Sequence, residues 1–225
     1  ENVLEACNKY NIKRGIFCLS SCVYPDKPTR YPMNESMIYE SSPHPSNEGY
    51  AYSKRMMEMQ CRKYNEQFGR EYICLIPVNL YGPYDNFNIK TGHSIPSMIH
   101  RFYIAKKNNS SFEKYGTGNA LRQFLFSKDF AKIILKTLFE YKSLKPINCC
   151  NDENSIYEVT DLICKYSNFN PQNVTNIDAP DGCFRRTVDN SYFKEVFPKF
   201  KFTKLEDGLN ETINWFENNY GRVRK

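Results

Sequence analysis

The chain has 225 residues, 40% of them hydrophobic and 25% charged, which is the composition of a globular protein and not of a disordered or collagen-like one. Its formal net charge of +6 is modest, and the densest basic cluster is the tail Gly221 to Lys225. Such a chain is expected to prefer anionic ligands mildly and to bind no nucleic acid. No apolar run approaches a membrane span, so no membrane association is expected.

In chain order, Asn2 to Lys13 reads as the end of a helix. Gly15 to Ser21 contains Ile-Phe-Cys-Leu-Ser, the compact apolar pattern of a buried parallel strand. Pro25 to Pro45 holds five prolines and reads as irregular. A long helix is predicted from about Asn47 to Gln67, stopped by Gly69. Tyr72 to Val78 is a second buried strand, broken by Tyr81-Gly82-Pro83. Helices follow at Ser94 to Lys107 and Ser127 to Tyr141, with a short strand at Gln123 to Ser127 between them. Pro146 to Cys150 is a third core strand. Ser155 and Glu158 form a capping-box signature for a helix to Ser167, and Leu205 to Tyr220 is the last helix. Alternating strands and helices indicate an α/β protein with a parallel sheet. Three parallel strands make a poor sheet alone, so partner strands are expected upstream.

Glycine is scarce. None of the ten falls at the G-x-G-x-x-G spacing, and Gly116-Thr117-Gly118 is followed by Leu at position 121. No P-loop occurs either. The chain opens Glu-Asn-Val-Leu without an initiator Met or a signal-peptide pattern, and reads as an excerpt. The nine cysteines are odd in number and include no C-x-x-C, and His44, His93 and His100 lack metal-ligand spacing. Reduced thiols, a cytoplasmic location and no metal are expected.

Tyr50 and Lys54 stand four apart at the start of the long helix, on one face and one turn from each other. A free phenol has a pKa of about 10, too high for easy proton exchange near neutrality. A nearby ammonium favours the phenolate and is expected to lower that value. The pair suits acid–base chemistry, although the same spacing also occurs in any amphipathic helix. Period-two alternation puts Cys18, Ser20 and Cys22 on one side of the first strand, at the carboxyl end where open α/β sheets bind ligands. Ser20 could equally be a strand-end hydrogen-bonding group, and Cys22 a structural thiol.

A strand ending in Ser, followed thirty residues later by Tyr-x-x-x-Lys, resembles the short-chain dehydrogenases/reductases. Longer stretches are more specific. They include Ser-Ser-Cys-Val-Tyr-Pro-Asp, Asn-Glu-Gly-Tyr-Ala-Tyr-Ser-Lys, Pro-Val-Asn-Leu-Tyr-Gly-Pro, Gly-His-Ser-Ile-Pro, Tyr-Gly-Thr-Gly-Asn-Ala-Leu-Arg-Gln-Phe and Pro-Asp-Gly-Cys-Phe-Arg-Arg. In that order they are similar to the GDP-L-fucose synthase family of the extended branch. The resemblance implies the C-terminal part of a Rossmann-like parallel sheet, with a smaller mixed α/β substrate domain. Residues 1–82 and 123–151 would be the remainder of the NADP-binding domain, and 83–122 and 152–225 the sugar-nucleotide domain. The glycine-rich loop would lie before Glu1, on the order of 90 residues being absent.

The resemblance also implies the chemistry. GDP-4-keto-6-deoxy-D-mannose would be epimerised at C3 and C5, and NADPH would then reduce the C4 ketone. Ser20 and Tyr50 match the donors to the C4 oxygen, Cys22 the base and His93 the acid. Lys54 would adjust Tyr50. Tyr50, Lys54, Pro77, Asn79, Leu80 and His93 would border the cofactor. Arg101, Tyr115, Arg122 and Asp181 match substrate contacts, Tyr115 standing where the family more often has Trp. Each arginine could also be a solvated surface charge. A homodimer is implied, with Met56, Met59, Tyr64 and Phe68 lining either its interface or the chain's own core. Other extended-family sugar-nucleotide epimerases or dehydratases, and a non-catalytic substrate-binding fragment, are the alternatives.

Overall fold

The computed structural model describes residues 1–180 and 182–225. Asp181, one of the expected substrate contacts, lies outside the described residues. The elements in chain order are α1 (Asn2–Lys9), β1 (Arg14–Cys18), α2 (Glu48–Phe68), β2 (Glu71–Pro77), β3 (Asn79–Tyr81), α3 (Ser94–Lys107), β4 (Phe112–Tyr115) and β5 (Leu121–Phe126). They continue with α4 (Ser127–Glu140), β6 (Ile147–Cys149), β7 (Glu153–Ser155), α5 (Ile156–Tyr166), β8 (Val174–Ile177), α6 (Ser191–Val196) and α7 (Leu205–Asn219). The fold is α/β with parallel strands, and the chain divides into two compact units.

The first unit comprises Glu1–Val78, Phe130–Asn151 and Thr187–Lys201. Its sheet has the order β1-β2-β6, all parallel, with Ile16 opposite Ile73 and Leu75 opposite Ile147. These are the three core strands expected from the apolar runs. Central β2 is buried from Tyr72 to Pro77, whereas β1 is only half-buried along its length. Within this sheet β1 pairs with β2 alone.

Helix α2 is rich in Met, Glu, Gln, Arg and Lys, all good helix formers. It ends at Gly69, whose φ of 61° is the left-handed conformation that glycine adopts without a Cβ clash. Its buried residues, Ala51, Arg55, Glu58 and Cys61, recur at helical spacing. Two of them are charged, and both hold the proline-rich segment. The Arg55 guanidinium donates to the Val23 and Ser41 carbonyls, both at 2.7 Å, and the Tyr39 hydroxyl donates to the Glu58 carboxylate. Farther along, the buried Tyr24 hydroxyl donates to Asn148 Oδ1 at 2.7 Å. Asn148 Nδ2 donates to the Asp189 carbonyl at 3.0 Å, which ties this segment and residues after Thr187 to β6.

The second unit comprises Asn79–Asp129, Asp152–Arg186 and Phe202–Lys225. Its strands β3 and β5 pair in parallel and β5 and β7 antiparallel, while β4 and β8 form a separate parallel pair. Strands β3, β4, β7 and β8 and helix α6 had no clear periodic signal. The Ser155–Glu158 capping box forms as expected, with both reciprocal bonds present. Among the described residues no helix is long and apolar enough to cross a membrane.

An aromatic cluster fills this unit. Phe216 is fully buried on α7, with its ring centroid 4.6 Å from that of Phe87 and 5.4 Å from that of His100. Phe102 stacks on Phe112 at 3.7 Å. Replacing Phe216 with Ala removes the shared neighbour of several rings. We expect a loss of about 3–5 kcal/mol, measured as a lowered urea midpoint, and a loss below 1 kcal/mol would contradict its central place.

Candidate active site

The site grows from the carboxyl end of β1. The last strand-to-strand bond there is Leu19 N–H to the Leu75 carbonyl, at 2.7 Å. The chain then leaves the sheet at Ser20, which is extended (φ −158°, ψ 151°) and starts a single 3₁₀ turn over Ser21–Val23. The Ser20 hydroxyl accepts the Cys22 N–H at 3.2 Å. Simple strand alternation therefore stops before Cys22, which is positioned by the turn and not by the pleat.

Helix α2 enters beside this turn. Its first turn carries Tyr50, half-exposed at 50%, close enough to Ser20 for the serine side chain to act on its phenol. Lys54 lies one turn on, its ammonium 5.6 Å from the Tyr50 ring centroid. That ammonium donates to the Cys18 carbonyl at 2.8 Å, so the lysine ties the helix to the end of β1. Just before the helix, Asn47 Nδ2 donates to the Cys22 sulfur at 3.0 Å. Ser20, Cys22, Tyr50 and Lys54 all lie in the first unit, around the end of β1 and the start of α2. Asn47 and Arg55 join them, and sequence reading treated both only as parts of a helix.

The phenol does not behave as Tyr-x-x-x-Lys spacing alone predicts. Burial pushes Tyr50 above the ordinary phenol value, the Ser20 side chain pulls it back, and charge on Cys22 and Cys18 raises it further. Lys54 is spent on a carbonyl and is not among the causes. At Cys18 burial again raises the thiol, and here the Lys54 charge opposes it.

The second unit carries Asn79, Leu80, His93, Arg101, Tyr115 and Arg122, while Pro77 belongs to the first. His93 is exposed and occupies the N-cap of α3, where its side chain makes no capping bond. Burial raises nearby Asp85 above the ordinary carboxylate value, and the Asn86 N–H and His93 oppose that rise only in part. Gly92 precedes His93 in a tight turn, with its N–H on the Asn88 carbonyl at 2.8 Å. Arg101 and Tyr115 come together, the guanidinium 5.6 Å from the Tyr115 ring centroid and 4.7 Å from that of Phe112. The Tyr115 hydroxyl donates to Glu113 at 2.7 Å, and Arg101 donates to the Glu113 carbonyl at 2.5 Å. Arg122 is held by the Leu121 and Cys183 carbonyls, both at 2.7 Å, and so is anchored more than a freely solvated charge would be. Asn79 donates to the Gln123 carbonyl at 3.1 Å, Leu80 is half-buried beside it on β3, and Pro77 is buried at the end of β2.

A Cβ added at Gly92 would stand 2.4 Å from the Asn86 carbonyl oxygen and 2.6 Å from that of Asn88. Both obstacles are backbone, so the turn itself must move. Gly92→Ala should cost about 1–3 kcal/mol in urea unfolding and shift the His93 ring resonances. Unchanged stability and resonances would show that the turn accommodates a methyl group.

Residues 1–150 match the NAD dependent epimerase/dehydratase family. The chain is 41% identical to a GDP-L-fucose synthase of Dictyostelium discoideum, over all of this chain and 71% of that protein. It is 37% identical to a probable GDP-L-fucose synthase of Drosophila melanogaster, over all of this chain and 73% of that protein. The crystal structure of a GDP-L-fucose synthetase from Naegleria fowleri bound to NADP superimposes with a TM-score of 0.95 at 40% identity, covering all of this chain and 69% of the other. A glycine-poor chain with a Ser–Tyr–Lys group at the end of a parallel strand, and with these relatives, belongs to the NAD dependent epimerase/dehydratase family, among its GDP-L-fucose synthases.

Proposed function

We propose that the complete polypeptide makes GDP-L-fucose by 3,5-epimerisation of GDP-4-keto-6-deoxy-D-mannose and NADPH-dependent reduction at C4. The observation that carries this reading is Ser20 beside Tyr50, with Cys22 in the turn that Ser20 starts, in a chain 41% identical to a GDP-L-fucose synthase. A dehydrogenase alone needs the first pair. A cysteine two residues beyond the serine adds a base.

The C4 ketone acidifies the protons on C3 and C5. Cys22, as thiolate, takes one of them, and the electron pair moves onto the C4 oxygen. Ser20 and Tyr50 donate to that oxygen and stabilise the enolate. His93 returns a proton to the opposite face of the same carbon, which inverts it. Proton exchange with water returns Cys22 to its thiolate and His93 to its protonated form, and the second carbon is then treated likewise. Tyr50 finally gives its proton to the C4 alkoxide.

The donor set fits one end of the cofactor. Lys54 and Tyr50 stand one turn apart at the carboxyl end of a parallel strand, where a ribose and a nicotinamide find hydroxyl and ammonium partners. Pro77, Asn79, Leu80 and His93 are assigned as further cofactor contacts. NADPH supplies the hydride for C4. Arg101 and Arg122 are assigned to the diphosphate, Tyr115 to a ring contact and Asp181 to the substrate. A guanidinium suits phosphate through its paired donors. Residues 1–82 and 123–151 are assigned to the cofactor half, and 83–122 and 152–225 to the substrate half. We place the enzyme in the cytoplasm as a homodimer. Exposed Met56 and Phe68 on α2, each 50% accessible, favour that assembly, whereas Tyr64 packs 6.1 Å from Tyr72 within the first unit.

In deuterium oxide with the 4-keto substrate, Cys22→Ser should abolish label uptake at C3 and C5 and leave NADPH affinity unchanged. Full GDP-L-fucose formation by that variant would end the base assignment. Tyr50→Phe should slow NADPH oxidation by about 10²–10⁴-fold, the usual worth of a positioned acid.

A further inference from the structure

Asn47 occupies the N-cap of α2 but does not cap it. An N-cap asparagine ordinarily accepts an N–H from the first turn through its side-chain oxygen. Here no such bond forms, and Asn47 Oδ1 is buried with no hydrogen-bond partner. The other end of the same amide donates to the Cys22 sulfur at 3.0 Å, close for a contact to an atom as large as sulfur. The side chain thus forms no cap and presents its NH₂ to one sulfur atom. Buried orphan acceptors are rare and expensive in folded proteins, and those that persist mark sites where something other than stability is served.

We propose that Asn47 is a catalytic residue whose side-chain amide donates to the Cys22 sulfur and stabilises its thiolate. The inference rests on Cys22 being the base of the epimerisation. An amide nitrogen is a donor only, so the contact favours the anion over the neutral thiol. Other nearby groups leave this task open. Tyr50 brings no positive charge to the sulfur, and Lys54 is turned to the Cys18 carbonyl. The Cys22 N–H donates to Ser20, which orients the residue without touching its sulfur. Asn47 also stands three residues before Tyr50, so one helix start sets the distance between the base and the proton donor.

The test uses the full polypeptide and two readouts. Alkylation of Cys22 by iodoacetamide, followed peptide by peptide across neutral to alkaline pH, reads the thiolate directly. Deuterium uptake at C3 and C5 reads the epimerisation. In Asn47→Ala the alkylation profile should move up by about one pH unit, and uptake at neutral pH should fall about tenfold and recover in alkali, the effect of losing one hydrogen bond to a charged group. Asn47→Asp, which puts a like charge beside the sulfur, should move the profile farther in the same direction. The urea midpoint of Asn47→Ala should not fall, because no cap bond is lost; a purely structural asparagine predicts the reverse. Should the alanine variant fail to fold, Asn47→Ser gives the same two readouts. Unchanged alkylation and uptake in an Asn47 variant, with Cys22→Ser inactive, would overturn the proposal. Continued uptake by Cys22→Ser would instead remove the base assignment, while a shifted alkylation profile would still establish the Asn47–Cys22 contact.

Discussion

The guanidinium of Arg55 is the constraint on which the first unit's site depends. It is buried at 6% accessibility, and its bonds go to the Val23 and Ser41 carbonyls. A buried cation must find acceptors, because an unpaired charge in a low-dielectric interior is severely penalised. The Val23 carbonyl belongs to the turn that carries Cys22, and Ser41 to the proline-rich segment. Each such bond to a charged group is worth about 1.5–3 kcal/mol, and leaving the cation unpaired costs more. The next residue back, Lys54, holds the Cys18 carbonyl. Two successive helical residues therefore fix the turn from both sides. The positions of Ser20, Cys22 and Tyr50 follow from that clamp more than from the strand.

The second unit solves a different problem with different means. Its strands are short, and two of them, β4 and β8, form a pair of their own. Rigidity comes from rings: Phe87, Phe102, Phe112 and Phe216 are all buried at 3% or less. Arg101 and Tyr115 stand at the edge of that cluster, the arginine over Phe112 and beside Tyr115. A guanidinium stacked on an aromatic face is oriented without being neutralised, so its charge stays available to an anion.

What was legible in the sequence follows the strength of local signals. The Ser155–Glu158 capping box, Gly69 after the long helix, and the apolar runs at β2 and β6 each have a short-range cause, and each element forms near its expected bounds. Strand β4 was not legible because it reads Phe-Glu-Lys-Tyr. Its Lys114 is buried by standing 4.0 Å from the Tyr157 ring centroid, a tertiary contact that no pattern encodes. Strand β7, Glu-Asn-Ser, is likewise polar. In the site, Tyr50 and Lys54 were legible from spacing, whereas the roles of Cys22 and His93 came only through resemblance. Arg55 was missed because a charge inside a helix reads as solvated. Asn47 was missed because an asparagine before a helix reads as a cap.

The direction of the Tyr50 shift sharpens the proposed chemistry. Spacing suggested a phenol made more acidic by lysine, yet burial and the neighbouring thiols make it less so. In the proposed reaction that is the useful direction. Tyr50 must donate twice, first a hydrogen bond to the enolate oxygen and then a proton to the alkoxide, and a phenolate could do neither. Because charge on Cys22 raises Tyr50, a thiolate at the base keeps the phenol protonated at the moment a donor is needed. When Cys22 takes the substrate's proton, the negative charge moves to the C4 oxygen against Ser20 and Tyr50. In the proposed reaction one negative charge is thus passed from sulfur to the substrate's oxygen, and Tyr50 stays protonated until the C4 alkoxide takes its proton.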